Sequence, residues 1–366
     1  MRIVYDHQVS SLQDAGGASR YHYELARHLL QKPEVKVGLY LGLTANVYPF
    51  DSLTKLGAHV LRLQSPIKPG LLRYSCNEVL TGLSLLTSGK WDIYHPTLYR
   101  AMPLIRARAK VVTHYDCTQE RFPDLFPNTG RIMRTKSRLF KDADMIICIS
   151  IASQRDLLHF YDVDEKKTRV VHLGLSPLYH SGQSNKNTPI ICERPYLLYV
   201  GARHTYKNFA AFLEAFAVKS LSSDYDLVVL GGGSLSDSEL KQIETYGLVN
   251  VIKHIALVDD ETLAKAYQYA HLFIYPSLSE GFGFPPLEAM SLGCPVLAAR
   301  SSCIPEICGD VPYYFEPNDP SSLAVALVQV LKATDRKERI AAGLELASRY
   351  KWSNCANNTL KAYREL

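Results

Sequence analysis

Two carboxylates, Glu280 and Glu288, flank the seven residues Gly-Phe-Gly-Phe-Pro-Pro-Leu. That stretch is neither a good helix nor a good strand. The run before it, "LFIYPS", predicts a buried strand. The run after it, "PPLEAMSLG", predicts a helix with proline at its first positions and Gly293 at its end. Glu280 would then hang in a loop at the strand's end, and Glu288 would sit in the helix's first turn. The glycines let backbone approach a ligand closely and present N–H groups, and a helix start suits a phosphate. The plain structural alternative is that Glu288 complements the helix dipole and Glu280 is solvated.

A second group is "YVGARHTYKNF", where Arg203 and Lys207 lie between a strand and a helix. Four residues apart in a helical turn, they would repel; a bound dianion between them would reverse that sign. A third is "QDAGGASRY", where Gly16 and Gly17 permit a tight turn whose N–H groups can face an anion. No Gly-Lys-Ser/Thr follows, so this is not a P-loop. Asp162 and Asp164 in "YDVDEKK" form an Asp-x-Asp pair in a charged connection, which reads as a turn. With no further carboxylate cluster nearby, no metal is expected.

These residues need positioning by strands and helices. "MRIVY", "KVGLYLG", "HVLRL", "WDIYHP", "KVVTHYD", "MIICIS" and "TRVVHLG" read as strands in the first half. "YLLYVG", "DLVVLGGG", "VNVIKHI", "LFIYPS", "PVLAA" and "VPYYF" do so in the second. Helical patterns such as "RYHYELARHLLQK", "NFAAFLEAFAVKS", "DDETLAKAYQYA" and "SSLAVALVQVLKAT" alternate with them. Apolar strands alternating with helices imply parallel sheets covered on both faces. The pattern restarts after the polar stretch 180–195, taken as a linker. The expectation is an α/β chain of two doubly wound domains, with ligands beyond the carboxyl ends of the strands and the cleft between the domains as the natural site.

The chain has 366 residues, ample for two domains. No apolar run approaches the ~20 residues of a membrane span, and "MRIVYDHQVSS" lacks a signal peptide's regions, so a cytoplasmic location is expected. The eight cysteines form no Cys-x-x-Cys pair and read as small buried hydrophobes in a reducing compartment. The net charge of +5 is unevenly spread: residues 1–180 carry 24 Lys/Arg against 16 Asp/Glu, the remainder 17 against 20. The two halves therefore suit different partners. No aromatic–basic RNA motif or zinc finger supports nucleic acid as one of them.

Together these motifs resemble the retaining glycosyltransferases of family four, over almost the whole chain. The spacing of Glu280 and Glu288 matches that family's most specific motif, in a setting that runs from "YPSLSEGFGFPPLEAMSLGCPV" to "PEICGD". "YVGARHTYKN" matches its phosphate-binding Arg and Lys, and "GGASRY" its Gly-rich loop. "HIALVDDETLAKAY" resembles the segment framing the nucleobase, and "YKWSNCANNTLKAYREL" the closing helix. The resemblance implies a GT-B fold: a Rossmann-like acceptor domain over 1–180, a Rossmann-like nucleotide-sugar domain over 181–345, and a helix over 346–366 crossing back to the first.

By the same resemblance, Arg203, Lys207, Gly16 and Gly17 would bind the donor's diphosphate without a metal or other cofactor. Glu288 would hold the ribose hydroxyls. Glu280 with the Gly281, Phe282, Gly283 and Phe284 backbone would hold the sugar. The backbone near Ala256 to Val258 would contact the base. The implied reaction retains configuration at the anomeric carbon, with mannose from GDP-mannose favoured over a UDP-sugar. Many relatives carry His immediately before Asp116; here Tyr115 takes that place and His114 precedes it. On a strand, adjacent residues point to opposite faces, so His114 or Tyr115 could face the cleft, hardly both. His95 resembles a position near the acceptor.

The acceptor would be a glycan or a polyprenyl-diphosphate-linked lipid. The basic stretch 131–141 interleaves Ile132, Met133, Leu139 and Phe140 with five cations, a composition that can lie on an anionic bilayer. Two alternatives share the fold: a nucleotide-sugar epimerase and an inactive nucleotide-sugar-binding subunit.

Overall fold

Each of the thirteen runs rich in Val, Ile, Leu and Tyr forms a strand, and together they build two parallel sheets. The computed structural model describes all residues except 66–69, 88, 100–105, 177–190, 257–258, 318 and 320; for 81–87 and 219–220 it describes the backbone alone. Most of the expected linker therefore lies outside the described residues. The chain divides into two compact units, Met1–Gly174 with Trp352–Leu366, and Leu175–Lys351.

The first unit holds β1 (Arg2–Tyr5), β2 (Lys36–Thr44), β3 (His59–Gln64), β4 (Trp91–His95), β5 (Ala107–His114), β6 (Met145–Cys148) and β7 (Thr168–Val170) in the order β3-β2-β1-β4-β5-β6-β7. Its helices include α1 (Gly17–Leu29), α2 (Gly70–Thr87), α3 (Thr129–Asp142) and α4 (Ile151–Phe160). Right-handed crossovers put α1, which steps from β1 to β2, on one face, and α2, α3 and α4, which step the other way, on the opposite face. The side chains agree. Thr113 of β5 meets Tyr21 of α1 (3.1 Å), while its neighbour His114 meets Phe140 of α3.

The second unit holds β8 (Tyr196–Val200), β9 (Asp226–Leu230), β10 (Ile252–Ile255), β11 (Leu272–Tyr275), β12 (Val296–Ala299) and β13 (Tyr313–Phe315) in the order β10-β9-β8-β11-β12-β13. Its core packs Leu197, Tyr199, Leu227, Val229, Leu272, Ile274 and Leu297 against Phe209, Phe212, Phe216, Leu323 and Leu327. The helices that matter below are α5 (Asp237–Thr245) and α6 (Phe284–Ser291). The stretch "NFAAFLEAFAVKS" is two helices, not one: Phe209–Phe216 and Lys219–Asp224, with Val218 non-helical (φ −55°, ψ 119°) between them. The last helix, α7 (Trp352–Arg364), belongs to the first unit and lies against α1, where Tyr21 and Trp352 approach to 6.3 Å.

Each sheet reverses its direction of growth once, between β1 and β4 in the first unit and between β8 and β11 in the second. In open α/β sheets, ligands bind beyond the strand ends at such reversal points. The loops leaving β8 and β11 are those that carry Arg203, Lys207 and Glu280.

Candidate functional site

The two loops of the second unit are tied together. The Leu278 N–H donates to the Tyr206 carbonyl (2.8 Å), and Lys207 Nζ donates to Glu280 Oε1 (2.6 Å). Ser277 Oγ donates to the same oxygen (2.5 Å). Ser302 brackets the Glu280 backbone, accepting from its N–H (2.9 Å) and donating to its carbonyl (3.0 Å). The carboxylate is thus held in position by a cation, a hydroxyl and its own backbone. Burial, reinforced by Glu280, raises the pKa of the adjacent Tyr275 phenol well above its ordinary value, so it stays protonated.

Arg203 is turned away from Lys207. Its Nε donates to Glu239 Oε1 (2.7 Å), Nη1 to the Gly231 carbonyl (2.8 Å), and Nη2 to the carbonyls of Gly233 (3.1 Å) and Ser234 (2.8 Å). Gly231, Gly232 and Gly233 have φ of +81°, +76° and +73°, a left-handed curl that wraps carbonyls around the guanidinium. These bonds leave one Nη1 hydrogen for a ligand. Glu239 also caps α5, accepting from the Ser236 N–H (2.7 Å). The expected helical-turn repulsion between Arg203 and Lys207 does not arise. Lys207 ends the 3₁₀ turn Thr205–Lys207, Arg203 precedes it, and each cation has its own carboxylate.

Glu288 lies in the second turn of α6, not the first, because the helix begins at Phe284. It is buried, and Tyr267 Oη donates to its Oε2 (3.3 Å). Gly293 follows the helix end with φ +75°, as expected. Between the glutamates, Phe282 is buried against Phe284 and Tyr350. Gly283 takes φ +87°, where a Cβ would lie 2.6 Å from Ile304 Cδ1. Side-chain packing and a left-handed glycine therefore set the path of this stretch. Val258 lies outside the described residues.

In the first unit, Gly16 starts α1 with φ +151°, and a Cβ there would lie 3.0 Å from Gln13 Oε1. Asn46 Nδ2 steadies this turn, donating to the Gln13 carbonyl (2.7 Å) and to Ser19 Oγ (2.8 Å). Gly17 is the first helical residue. His95, expected near an acceptor, is instead a core residue. It is 0% exposed, with Nδ1 bonded to Tyr363 Oη (2.6 Å) and Nε2 to Thr113 Oγ1 (2.8 Å). Burial lowers its pKa well below the ordinary value, so both bonds form to a neutral ring.

His114 and Tyr115 do point to opposite faces. His114 is buried among Tyr99, Cys117 and Phe140, and burial, aided by Lys136, keeps it neutral. Tyr115 Oη donates to the Thr97 carbonyl (3.1 Å), so His22 Nε2–H donates to Tyr115 Oη (2.9 Å). Asp116 Oδ1 accepts from the Thr118 N–H (2.9 Å), and its carbonyl accepts from Lys136 Nζ (3.0 Å).

Lys136 overturns part of the expectation for 131–141. It is buried, donating to Glu120 Oε1 (2.9 Å) and lying 4.7 Å over the Tyr99 ring; Tyr161 Oη donates to the same carboxylate. Leu139 and Phe140 are buried and Ile132 and Met133 half-buried. The apolar side of α3 is thus spent on the core and cannot enter a bilayer. Asp164, as expected, only caps a turn, accepting from the Lys166 N–H (2.9 Å). Among the described residues no three His, Cys, Asp or Glu converge on one point.

Two family models match in tandem: "Glycosyltransferase Family 4" over residues 15–177 and "Glycosyl transferases group 1" over 183–343. The chain is a family-four-type glycosyltransferase. It is 29% identical over 287 residues to the O-antigen chain mannosyltransferase B of Escherichia coli, covering 75% of this chain and 74% of that one. It is 24% identical to the longer serotype-specific mannosyltransferase WbdA of Escherichia coli, over 66% of this chain and 31% of that one. Its fold is that of the GT-B glycosyltransferases. The Anabaena protein Alr3699/HepE, solved in complex with UDP-glucose, superposes with a TM-score of 0.75 at 18% identity, each chain fully covered.

For this glycosyltransferase, Lys207 and Glu280 form a cation–carboxylate pair that an incoming anion can separate, since the anion replaces one partner of Lys207 by another. Sequence reasoning missed Glu239, Tyr267, Ser302, Asp6 and His22. Glu239 alone had a local signal, the Ser236–Glu239 capping-box spacing. Asp6 is fully buried and accepts from Thr97 N–H (3.0 Å), Thr97 Oγ1 (2.7 Å), Tyr94 Oη (2.7 Å) and Gln8 Nε2 (2.7 Å), which ties the ends of β1 and β4 together.

Proposed function

We propose that this glycosyltransferase moves a hexose, mannose before others, from a nucleoside-diphosphate sugar to a glycan or polyprenyl-diphosphate-linked acceptor, with retention at the anomeric carbon, in cell-surface polysaccharide biosynthesis. The observation that carries the reading is the Lys207–Glu280 pair on the two loops at the reversal point of the second sheet. The likeness to O-antigen mannosyltransferases supports the sugar and the pathway class. The HepE complex with UDP-glucose supports a nucleotide-sugar donor.

The diphosphate takes Lys207 Nζ and the remaining Nη1 hydrogen of Arg203. Glu280, relieved of Lys207, accepts from sugar hydroxyls, and Glu288 with Tyr267 meets the ribose. Fixed cations stabilise the charge of the departing diphosphate, so no divalent metal is required. The acceptor hydroxyl attacks the face from which the diphosphate leaves, and a departing phosphate oxygen takes its proton. The paired glutamates do not act as acid and nucleophile in the manner of a glycosidase. Among the described residues no helix is long and apolar enough to cross a membrane. The reading puts the reaction in the cytoplasm or on the cytoplasmic face of the membrane.

The test is a thermal-shift panel of nucleotide sugars followed by donor hydrolysis without acceptor. A specific donor raises the melting temperature by mass action, and slow release of nucleoside diphosphate follows. Stabilisation without any release would instead support the inactive binding subunit.

A further inference from the structure

A cavity of the second unit opens at the amino ends of β8 and β11 and spans about 630 Å³, a size that suits a small ligand. Its lining includes Tyr196, the first residue of β8, and His271, just before β11, joined by the His271 N–H to the Tyr196 carbonyl (2.8 Å). The donor loops leave the opposite ends of the same two strands. β8 has five residues, so roughly 17 Å of strand lies between the cavity and the loops that carry Lys207 and Glu280. All the lining residues, from Cys192 to Arg336, belong to the second unit.

The side chains of this cavity are of three chemical kinds. The first is cationic. Arg336 is half-buried, and among the described residues it pairs with no carboxylate. Its neighbour Asp335 is taken by Arg339 (2.7 Å) and by Tyr313 Oη (2.6 Å). His271 faces the same space; burial, and then the charge of Arg336, lower its pKa. A guanidinium beside an imidazole, with no acid between them, is a place where an anion is favoured. Arg194 adds to the positive side but is shared with Asp226 (2.7 Å). The second kind is aromatic: Tyr269 is 51% exposed, and the ammonium of buried Lys265 lies 5.8 Å from its ring centroid. The third is acidic: Glu193 is exposed at the rim, and among the described residues no cation pairs with it.

We infer that this cavity is a second nucleotide site, for guanosine diphosphate, with the phosphates on Arg336 and His271, the base stacked on Tyr269, and Glu193 accepting from the N–H groups of the base. Guanine offers one carboxylate two donors, the ring N1–H and the 2-amino group. Base stacking on an exposed tyrosine is a general mode of nucleotide capture. Inorganic phosphate would leave Tyr269 and Glu193 without a role, and a neutral glycan would leave Arg336 and His271 without a counter-charge. The inference rests on the proposed function only for the source of its ligand, since a transferase that uses GDP-mannose releases guanosine diphosphate.

The test is titration calorimetry of the full chain with GDP, read for stoichiometry. Wild type is expected to bind two GDP per chain. Arg336→Ala should weaken one of the two sites by roughly 10- to 100-fold, the worth of a charge-assisted contact. Tyr269→Ser should weaken the same site by roughly 5- to 100-fold, the worth of one base stack. Glu193→Gln should narrow the preference of that site for GDP over UDP. Lys207→Ala should weaken the other site alone. Photolabelling with 8-azido-GDP should mark the peptide that carries Tyr269, in wild type and in Lys207→Ala alike. Arg336→Ala and Tyr269→Ser should hydrolyse donor like wild type when no GDP is added, which shows that both variants are folded. One GDP per chain, lost with Lys207→Ala, overturns the inference. A second site that neither Arg336→Ala nor Tyr269→Ser weakens also overturns it. If the donor carries another base, Lys207→Ala will leave GDP binding unaltered while Arg336→Ala removes it, a result that counts against GDP-mannose as donor and for this site.

Discussion

Lys207 Nζ sits 2.6 Å from Glu280 Oε1, across 73 residues of sequence, and both side chains are largely withdrawn from solvent. A cation held this way is positioned before any ligand arrives. Lys207→Ala should weaken nucleoside diphosphate binding by ~1.5–3 kcal/mol, the worth of a charge-assisted contact. Titration calorimetry reads this directly. An unchanged Kd would mean that Lys207 serves Glu280 and nothing else.

Gly232 is the strictest position in the Arg203 cradle. Its φ is +76°, and a Cβ would lie 2.6 Å from Arg203 Nη1 and 2.7 Å from the Gly201 carbonyl. Gly232→Ala should destabilise the protein by about 1–3 kcal/mol and displace the guanidinium. Urea unfolding and product binding should both report the change. Stability lost with product affinity intact would remove Arg203 from the binding site.

The buried Lys136–Glu120 pair should behave as a unit. Lys136→Met leaves a carboxylate buried without its cation and should cost ~3–5 kcal/mol. Adding Glu120→Gln should recover most of that. Urea midpoints of the two single variants and the double variant test it, and simple additivity would refute the coupling.

Acid should weaken the first unit through its histidines. Burial, opposed by Asp6 and Thr97, brings the His22 pKa down to about 4 from its ordinary 6.5. Below pH 6.5 the unfolded chain takes up a proton that the folded His22 refuses, so stability falls as pH drops from 6.5 towards 4. The slope from this one group is up to ~1.4 kcal/mol per pH unit. His95 and His114, also lowered, act in the same direction. Urea midpoints at pH 7 and pH 5 should differ, and His22→Gln should reduce the difference. An equal difference in wild type and variant would rule out His22 as a source.

Activity should survive EDTA, because the cations assigned to the leaving group are parts of the chain. Loss with EDTA, restored by manganese or magnesium, would end the metal-free mechanism.

Much of this was legible locally. Strands such as "LFIYPS" and "DLVVLGGG" stand out because a strand buried on both faces must be apolar throughout, and that property belongs to neighbouring residues. The stop at Gly293 was legible for a similar reason: a left-handed backbone favours glycine. Spacing also placed Glu280 on a loop and Glu288 on a helix, though one residue too near the helix start, because the helix begins at Phe284 rather than Pro285.

Only the tertiary structure decided which charges meet. Arg203 and Lys207 look like partners in sequence, yet Arg203 is taken by Glu239 and Lys207 by Glu280. Strand order brings the β8 and β11 loops together, and strand order is not written in any local window. The same holds for Lys136, one of five cations in the stretch 131–141, and for His95. Each is buried because the helix face or strand end that carries it packs inward, and only long-range packing sets that orientation.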